Sequence, residues 1–144
     1  MKRADVLREL RSHIGTPYTH QGRLPGVGLD CAGLGVAVAR TLGVEVDDHT
    51  EYTRRPDWTV FQASLARACE EVDPAERRPG DILVFWIAGN PQHMAFLSHA
   101  GGDGQPERII HATSAAPRRV VEHTLDEKLL GRVAKCYRFP GMED

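Results

Sequence analysis

The chain has 144 residues, 41% of them hydrophobic and 26% charged, with a formal net charge of −2. This points to one globular domain, residues 1–144, large enough to bury a core without staples. Its interspersed charges exclude a nucleic-acid arm or a basic membrane helix, and no stretch approaches the ~20 apolar residues needed to cross a bilayer.

The first eleven residues are amphipathic and charged, without the apolar run of a secretory signal. The expectation is synthesis in a bacterial cytoplasm, with any export by another route. Val6, Leu7, Leu10 and Ile14 share one helical face, and this helix should stop near Gly15, ahead of Pro17. Residues 16–29 read as a loop rich in glycine and proline. Residues 31–42 are apolar nearly all round, which fits a helix inside the core. Asp30 is a suitable N-cap and Gly43 a suitable stop. Residues 44–56 read as polar loop. Asp57 is placed to cap a third helix with apolar positions at Trp58, Phe61, Leu65, Ala68, Cys69 and Val72. Core packing is the expected role of Trp58 and Trp86.

Beyond Pro79-Gly-Asp81 the pattern changes. Strands are expected at 82–86, 93–98, 107–112 and 118–122, a helical turn or two within 125–130, and a closing strand at 132–139. Helices first and strands afterwards give an α+β class with an antiparallel sheet.

Three cysteines, Cys31, Cys69 and Cys136, form no CxxC pair and no disulfide framework. Cys31 stands out by its place at the first position of the buried helix. Unpaired N–H groups and the positive end of the helix dipole favour a thiolate there. The same groups suit an oxyanion on an attacked carbonyl. The neighbouring Asp30 opposes the thiolate unless its carboxylate is engaged elsewhere. On local physics alone a small buried core thiol is an equal reading. A nucleophile also needs a base and an orienting partner. Among seven histidines, His93 begins one expected strand and His111 ends another, and adjacent antiparallel strands would bring them together. His99 and His123 read as surface or hydrogen-bonded residues. No HxH or HExxH spacing suggests a metal, and no cofactor is expected.

Five segments in order now matter together: Gly15-Thr-Pro-Tyr18, Asp30-Cys-Ala-Gly-Leu34, Pro79-Gly-Asp-Ile-Leu-Val-Phe85, His93-Met-Ala-Phe-Leu97 and Ile109-Ile-His-Ala112. They resemble the NlpC family of papain-like cysteine peptidases, which cleave peptidoglycan stem peptides. The resemblance reaches from the first helix to Pro140. Tyr18-Thr-His-Gln21 and Tyr137-Arg-Phe-Pro140 are most similar to stand-alone members in tailed-phage and gene-transfer-agent tail clusters. Two positions depart from the pattern: Ala32 replaces a commoner serine, and Phe96 shifts the small-residue position of the histidine strand. No SH3-like or lysin-motif targeting domain is recognisable.

The resemblance implies a papain-like fold, with the nucleophile heading a buried helix packed on an antiparallel sheet. It implies that Cys31 is the nucleophile, His93 the general base and His111 the residue orienting it. Tyr18 would lie near the oxyanion, and Asp30 would help bind the substrate's polar end. The implied partners are a peptidoglycan stem peptide and phage tail-tip proteins, with no nucleic acid and no membrane insertion. The implied place of action is the periplasmic cell wall, reached from a virion tail tip. The alternatives are a tail-tip assembly protein that uses the fold for docking, and a thiol amidase or acyltransferase with another substrate.

Overall fold

The computed structural model describes residues 1–144 except 49, 51, 53–57, 88 and 89, and also leaves out the side chains of 58, 59, 87 and 90–92. The expected cap at Asp57 and the packing of Trp58 therefore lie outside the described residues.

Helix α1 is Arg3–Ser12, with Val6 and Leu10 fully buried. Ile14, placed on the same stripe by its spacing, falls past the helix and is 42% exposed. The chain turns away at Gly15, whose φ of +93° suits glycine. The 16–29 loop contains a small ribbon, β1 (Arg23–Leu24) against β2 (Gly28–Leu29). Helix α2 is Cys31–Thr41, and seven of its residues from Ala32 to Ala39 are buried. A side chain at Gly33 would collide with the carbonyl oxygen of Gly22. The glycine lets the preceding loop lie directly on the first turn of α2. Gly43, at φ +75°, follows the helix end.

Helix α3 is Trp58–Ala68 and stops before Cys69. The apolar spacing carried this helix on to Val72. Instead Glu70–Val72 forms a short strand, β3, paired with the C-terminal strand. A three-residue edge strand held by backbone pairing leaves little trace in side-chain periodicity.

The remaining strands are β4 (Ile82–Ile87), β5 (Asn90–His99), β6 (Arg108–Ala112), β7 (Val120–Thr124) and β8 (Val133–Arg138), with helix α4 (Glu127–Leu130) before the last. They form a six-stranded antiparallel sheet in the order β3-β8-β4-β5-β6-β7. Strand β7 starts two residues later than its composition suggests, because Arg118 sits at φ +57°, outside strand geometry. The α+β class read from the sequence is the class observed.

Both sheet faces carry apolar residues. Val84, Met94, Phe96 and Ile110 share a core with Leu34 and Val38 of α2. Leu83, Phe85, Ala95, Leu97 and Ile109 form a second cluster with Leu125 and Cys136. Strand β4 is therefore an unbroken buried run from Ile82 to Phe85. Trp86, expected in the core, is 46% exposed. It lies next to a bulge in β5, where Phe85 pairs with His93 and Trp86 with Pro91.

Asp81 ties the sheet to α1. Its carboxylate accepts from Arg3 Nη1 (3.2 Å), Arg138 Nε and Nη2 (both 2.8 Å) and the N–H of Arg78 (2.8 Å).

Candidate active site

Cys31 is half-buried at the first position of α2. Asp30 is the N-cap expected from the sequence: its Oδ1 accepts the N–H of Gly33 at 2.7 Å. The N–H groups of Met94 and Ala32 point at the sulfur and favour thiolate, as does the charge of Arg23. Burial and, second, the Asp30 charge outweigh them and push the thiol up to about 12. The sequence set the helix start against an Asp30 charge that engagement elsewhere would silence; the carboxylate is engaged, yet burial and its charge still prevail. At neutral pH this favours the thiol, so a thiolate at Cys31 would need a base to form.

Met94 is the residue after His93, so the thiol of α2 lies against the peptide that leads out of His93 on β5. Among the described residues no hydrogen bond joins Cys31 Sγ to an imidazole nitrogen. Catalytic hydrogen bonds of this kind are often loose until substrate binds.

The two strand histidines do meet. His93 Nε2 and His111 Nδ1 are 2.6 Å apart, with ring centroids separated by 4.8 Å. The ring of His93 also stacks near Phe85, at 6.1 Å between centroids. Burial keeps both imidazoles neutral, lowering His93 to about 4 and His111 to about 3. The nearby charge of His123 adds to the effect on His93, and the charges of His93 and His123 add to the effect on His111.

His123 was not expected here. Its Nε2 lies 2.7 Å from His111 Nε2, and its Nδ1 lies 2.8 Å from the carbonyl oxygen of Thr124. His111 pairs directly with Val121, which puts His123 on the same face one diagonal step away. Ending the expected strand at Glu122 hid this neighbour; a strand running to Thr124 reveals it.

Asp30 is 3% exposed, and its carboxylate is filled from within the chain. Oδ1 accepts from Gly33 N–H and Arg23 Nη1 (3.0 Å), while Oδ2 accepts from the N–H of Gln21 (2.9 Å) and the hydroxyl of Tyr52. Arg23 also bonds Asp48 at 2.8 Å. The carboxylate is thus engaged in capping, as its position beside the thiol requires. Tyr52 and Arg23 belong to this site and carried no motif in the sequence. Tyr18 is partly buried against the core cluster that Cys31 also touches; its N–H bonds the carbonyl of Arg118 at 2.8 Å. His99 caps the N–H of Gly101 at 3.0 Å, away from the string of histidines.

Among the described residues no three or more His, Cys, Asp or Glu side chains converge on a metal-sized space. An apolar cavity of about 60 Å³ between α2 and α3 is lined by Val36, Phe61, Leu65 and Met94, and its lining includes neither Cys31 nor His93.

The NlpC/P60 family model matches residues 15–133. No curated protein matches the chain. Among solved structures, the NlpC/p60 domain of the peptidoglycan hydrolase SagA is 24% identical, with a TM-score of 0.68 over 96% of this chain and 100% of that one. An NlpC/P60 family protein from Bacillus cereus is 23% identical with a TM-score of 0.69; 95% of this chain is covered, but only 40% of that one. RipD from Mycobacterium tuberculosis, described as a non-catalytic NlpC/p60 domain protein adapted to peptidoglycan binding, is 16% identical with a TM-score of 0.61 over 94% of this chain and 95% of that one. These likenesses are likenesses of fold. The family match spans most of the chain and includes Cys31, His93 and His111. The chain belongs to the NlpC/P60 family.

Proposed function

We propose that the protein is a cysteine peptidase that cleaves peptidoglycan stem peptides, with Cys31 as nucleophile, His93 as general base and His111 orienting it. One observation carries this reading: the thiol heading α2 lies against the peptide that follows His93, and His93 is hydrogen-bonded to a second histidine. RipD illustrates that the fold also occurs as a non-catalytic binder. A binder has no physical need for a neutral histidine pair beside a helix-start thiol.

In this mechanism the neutral imidazole of His93 takes the Cys31 proton as sulfur attacks the amide carbonyl. The C–S bond forms and the carbonyl electrons move to oxygen. The oxyanion is held by N–H groups at the start of α2, with Tyr18 beside it. His93 then returns the proton to the leaving amine as the C–N bond breaks. A water deprotonated by His93 attacks the thioester, releasing the acid and restoring the thiol. Asp30 holds the head of α2 in place; its carboxylate, filled from within the chain, acts at the substrate's polar end only through its partners Arg23 and Tyr52.

Delivery by a phage tail tip is part of the same proposal, supported by the likeness of Tyr18-Thr-His-Gln21 and Tyr137-Arg-Phe-Pro140 to tail-cluster members. On that reading the protein acts on the periplasmic wall in company with other tail proteins.

The test is mass spectrometry of products from purified sacculi. The unmodified protein, Cys69→Ala and Cys136→Ala should release stem-peptide fragments, while Cys31→Ala and His93→Ala should release none. Undiminished release by Cys31→Ala would sink the assignment.

A further inference from the structure

We propose that His123 is a positioning residue that fixes the proton arrangement of the whole histidine string and so leaves Nδ1 of His93 as its free basic nitrogen. The proposal rests on His93 being the general base.

The string is closed at Thr124. The carbonyl oxygen of Thr124 only accepts hydrogen bonds, so the His123 Nδ1 that lies 2.8 Å from it must carry a proton. A neutral His123 then has its lone pair on Nε2. That nitrogen is 2.7 Å from His111 Nε2, which must therefore be the donor. Neutral His111 is left with its lone pair on Nδ1, 2.6 Å from His93 Nε2, which must donate in turn. Neutral His93 is left with an unprotonated Nδ1. One backbone carbonyl thus sets three tautomers in sequence.

This arrangement suits the chemistry. When His93 Nδ1 gains the thiol proton, its Nε2–H still donates to His111, and nothing further along the string has to rearrange. Without an acceptor at position 123, the His111 ring loses the bond that keeps its proton on Nε2. His111 can then protonate Nδ1 and offer that proton to His93 Nε2, which moves the His93 proton onto Nδ1. In that form His93 is unable to accept from the thiol.

The test is ¹⁵N NMR of the protein labelled at histidine, in which the two ring nitrogens report the tautomer directly. Expected in the unmodified protein are Nε2–H on His93 and His111 and Nδ1–H on His123; Nδ1–H on His93 would overturn the proposal whatever the protein does to sacculi. His123→Phe keeps an aromatic ring and removes the acceptor. It should shift His93 toward the Nδ1–H form and lower kcat ~10–100-fold, the range for losing a group that orients a working histidine, with KM unchanged. His123→Gln restores an acceptor and should recover most of the loss. Unaltered tautomers in His123→Phe would equally overturn the proposal. A protein inert toward sacculi but with the expected tautomers would instead count against the peptidase assignment alone.

Discussion

Asp81 and His111 are both buried polar groups of one sheet, 0% and 7% exposed, and they are satisfied in opposite ways. Asp81 is ionic and closed: Arg3 and Arg138 bracket its carboxylate and the N–H of Arg78 completes it. His111 is neutral and open-ended: it sits between two other imidazoles, within hydrogen-bond distance of both. A closed ionic cluster can only be broken. A neutral string can gain or pass a proton and keep its hydrogen bonds. The contrast separates the group that holds the fold from the group suited to chemistry.

The widest separation should come from crossing Cys31→Ala with Asp81→Ala. Cys31→Ala should lower kcat/KM on stem peptides by ~10³-fold or more, as loss of a nucleophile does, while costing no more than about 1 kcal/mol in urea unfolding. Asp81→Ala leaves Arg138 without its ion-pair partner and Arg3 with only the exposed Asp144, and should cost about 3 kcal/mol. That is a large share of an ordinary domain's stability of about 5–15 kcal/mol. A loss under about 1 kcal/mol in Asp81→Ala would erase the distinction between the two clusters.

Next in size is the effect of pH on stability. His93 and His111 titrate in the fold at about 4 and about 3, against an ordinary 6.5. Between pH 6.5 and about 4 the unfolded chain therefore binds protons that the fold refuses, and stability falls as pH falls. Each histidine contributes at most about 1.4 kcal/mol per pH unit, reduced at His93 by its partial access to solvent. Urea midpoints at pH 7, 6 and 5 should decline in the native protein. They should decline less in the double variant His93→Gln, His111→Gln. Equal slopes would mean the string is not held neutral by burial.

The legible parts of the molecule were those with strong local signals. Asp30 before an apolar run and Gly43 after it marked both ends of α2. The apolar run after Asp81 marked β4, and His93 and His111 fell on neighbouring strands as their strand positions required. What escaped was set by pairing across the chain. Strand β3 exists because β8 offers it a backbone edge. Trp86 is exposed at the end of β4, where the neighbouring β5 carries a bulge. Tyr52 reaches Asp30 from a loop and Arg23 from the two-residue strand β1, neither with a pattern long enough to carry a period. His123 was visible as a residue and hidden as a partner, because one misplaced strand end removed it from the face of His111.

The smallest expected effect tests whether Asp30 resembles Asp81 or belongs with the chemistry. Both carboxylates are buried and ringed by donors, yet Arg23 keeps Asp48 when Asp30 is neutralised, so no cation is stranded. Asp30→Asn retains an oxygen for the Gly33 N–H but turns its NH2 toward the N–H of Gln21, and should fold with a loss of about 1–3 kcal/mol. Its distinctive effect lies at the sulfur. The Asp30 charge is the second cause, after burial, that raises the Cys31 thiol. Removing it should move the pH midpoint of Cys31 alkylation downward by less than about one unit, with burial still holding it above the ordinary thiol value. Iodoacetamide rates against pH, read by mass on the Cys31 peptide, measure this apart from Cys69 and Cys136. An unmoved or raised midpoint would mean the carboxylate is as fully neutralised as that of Asp81, and its influence on Cys31 would be mechanical only.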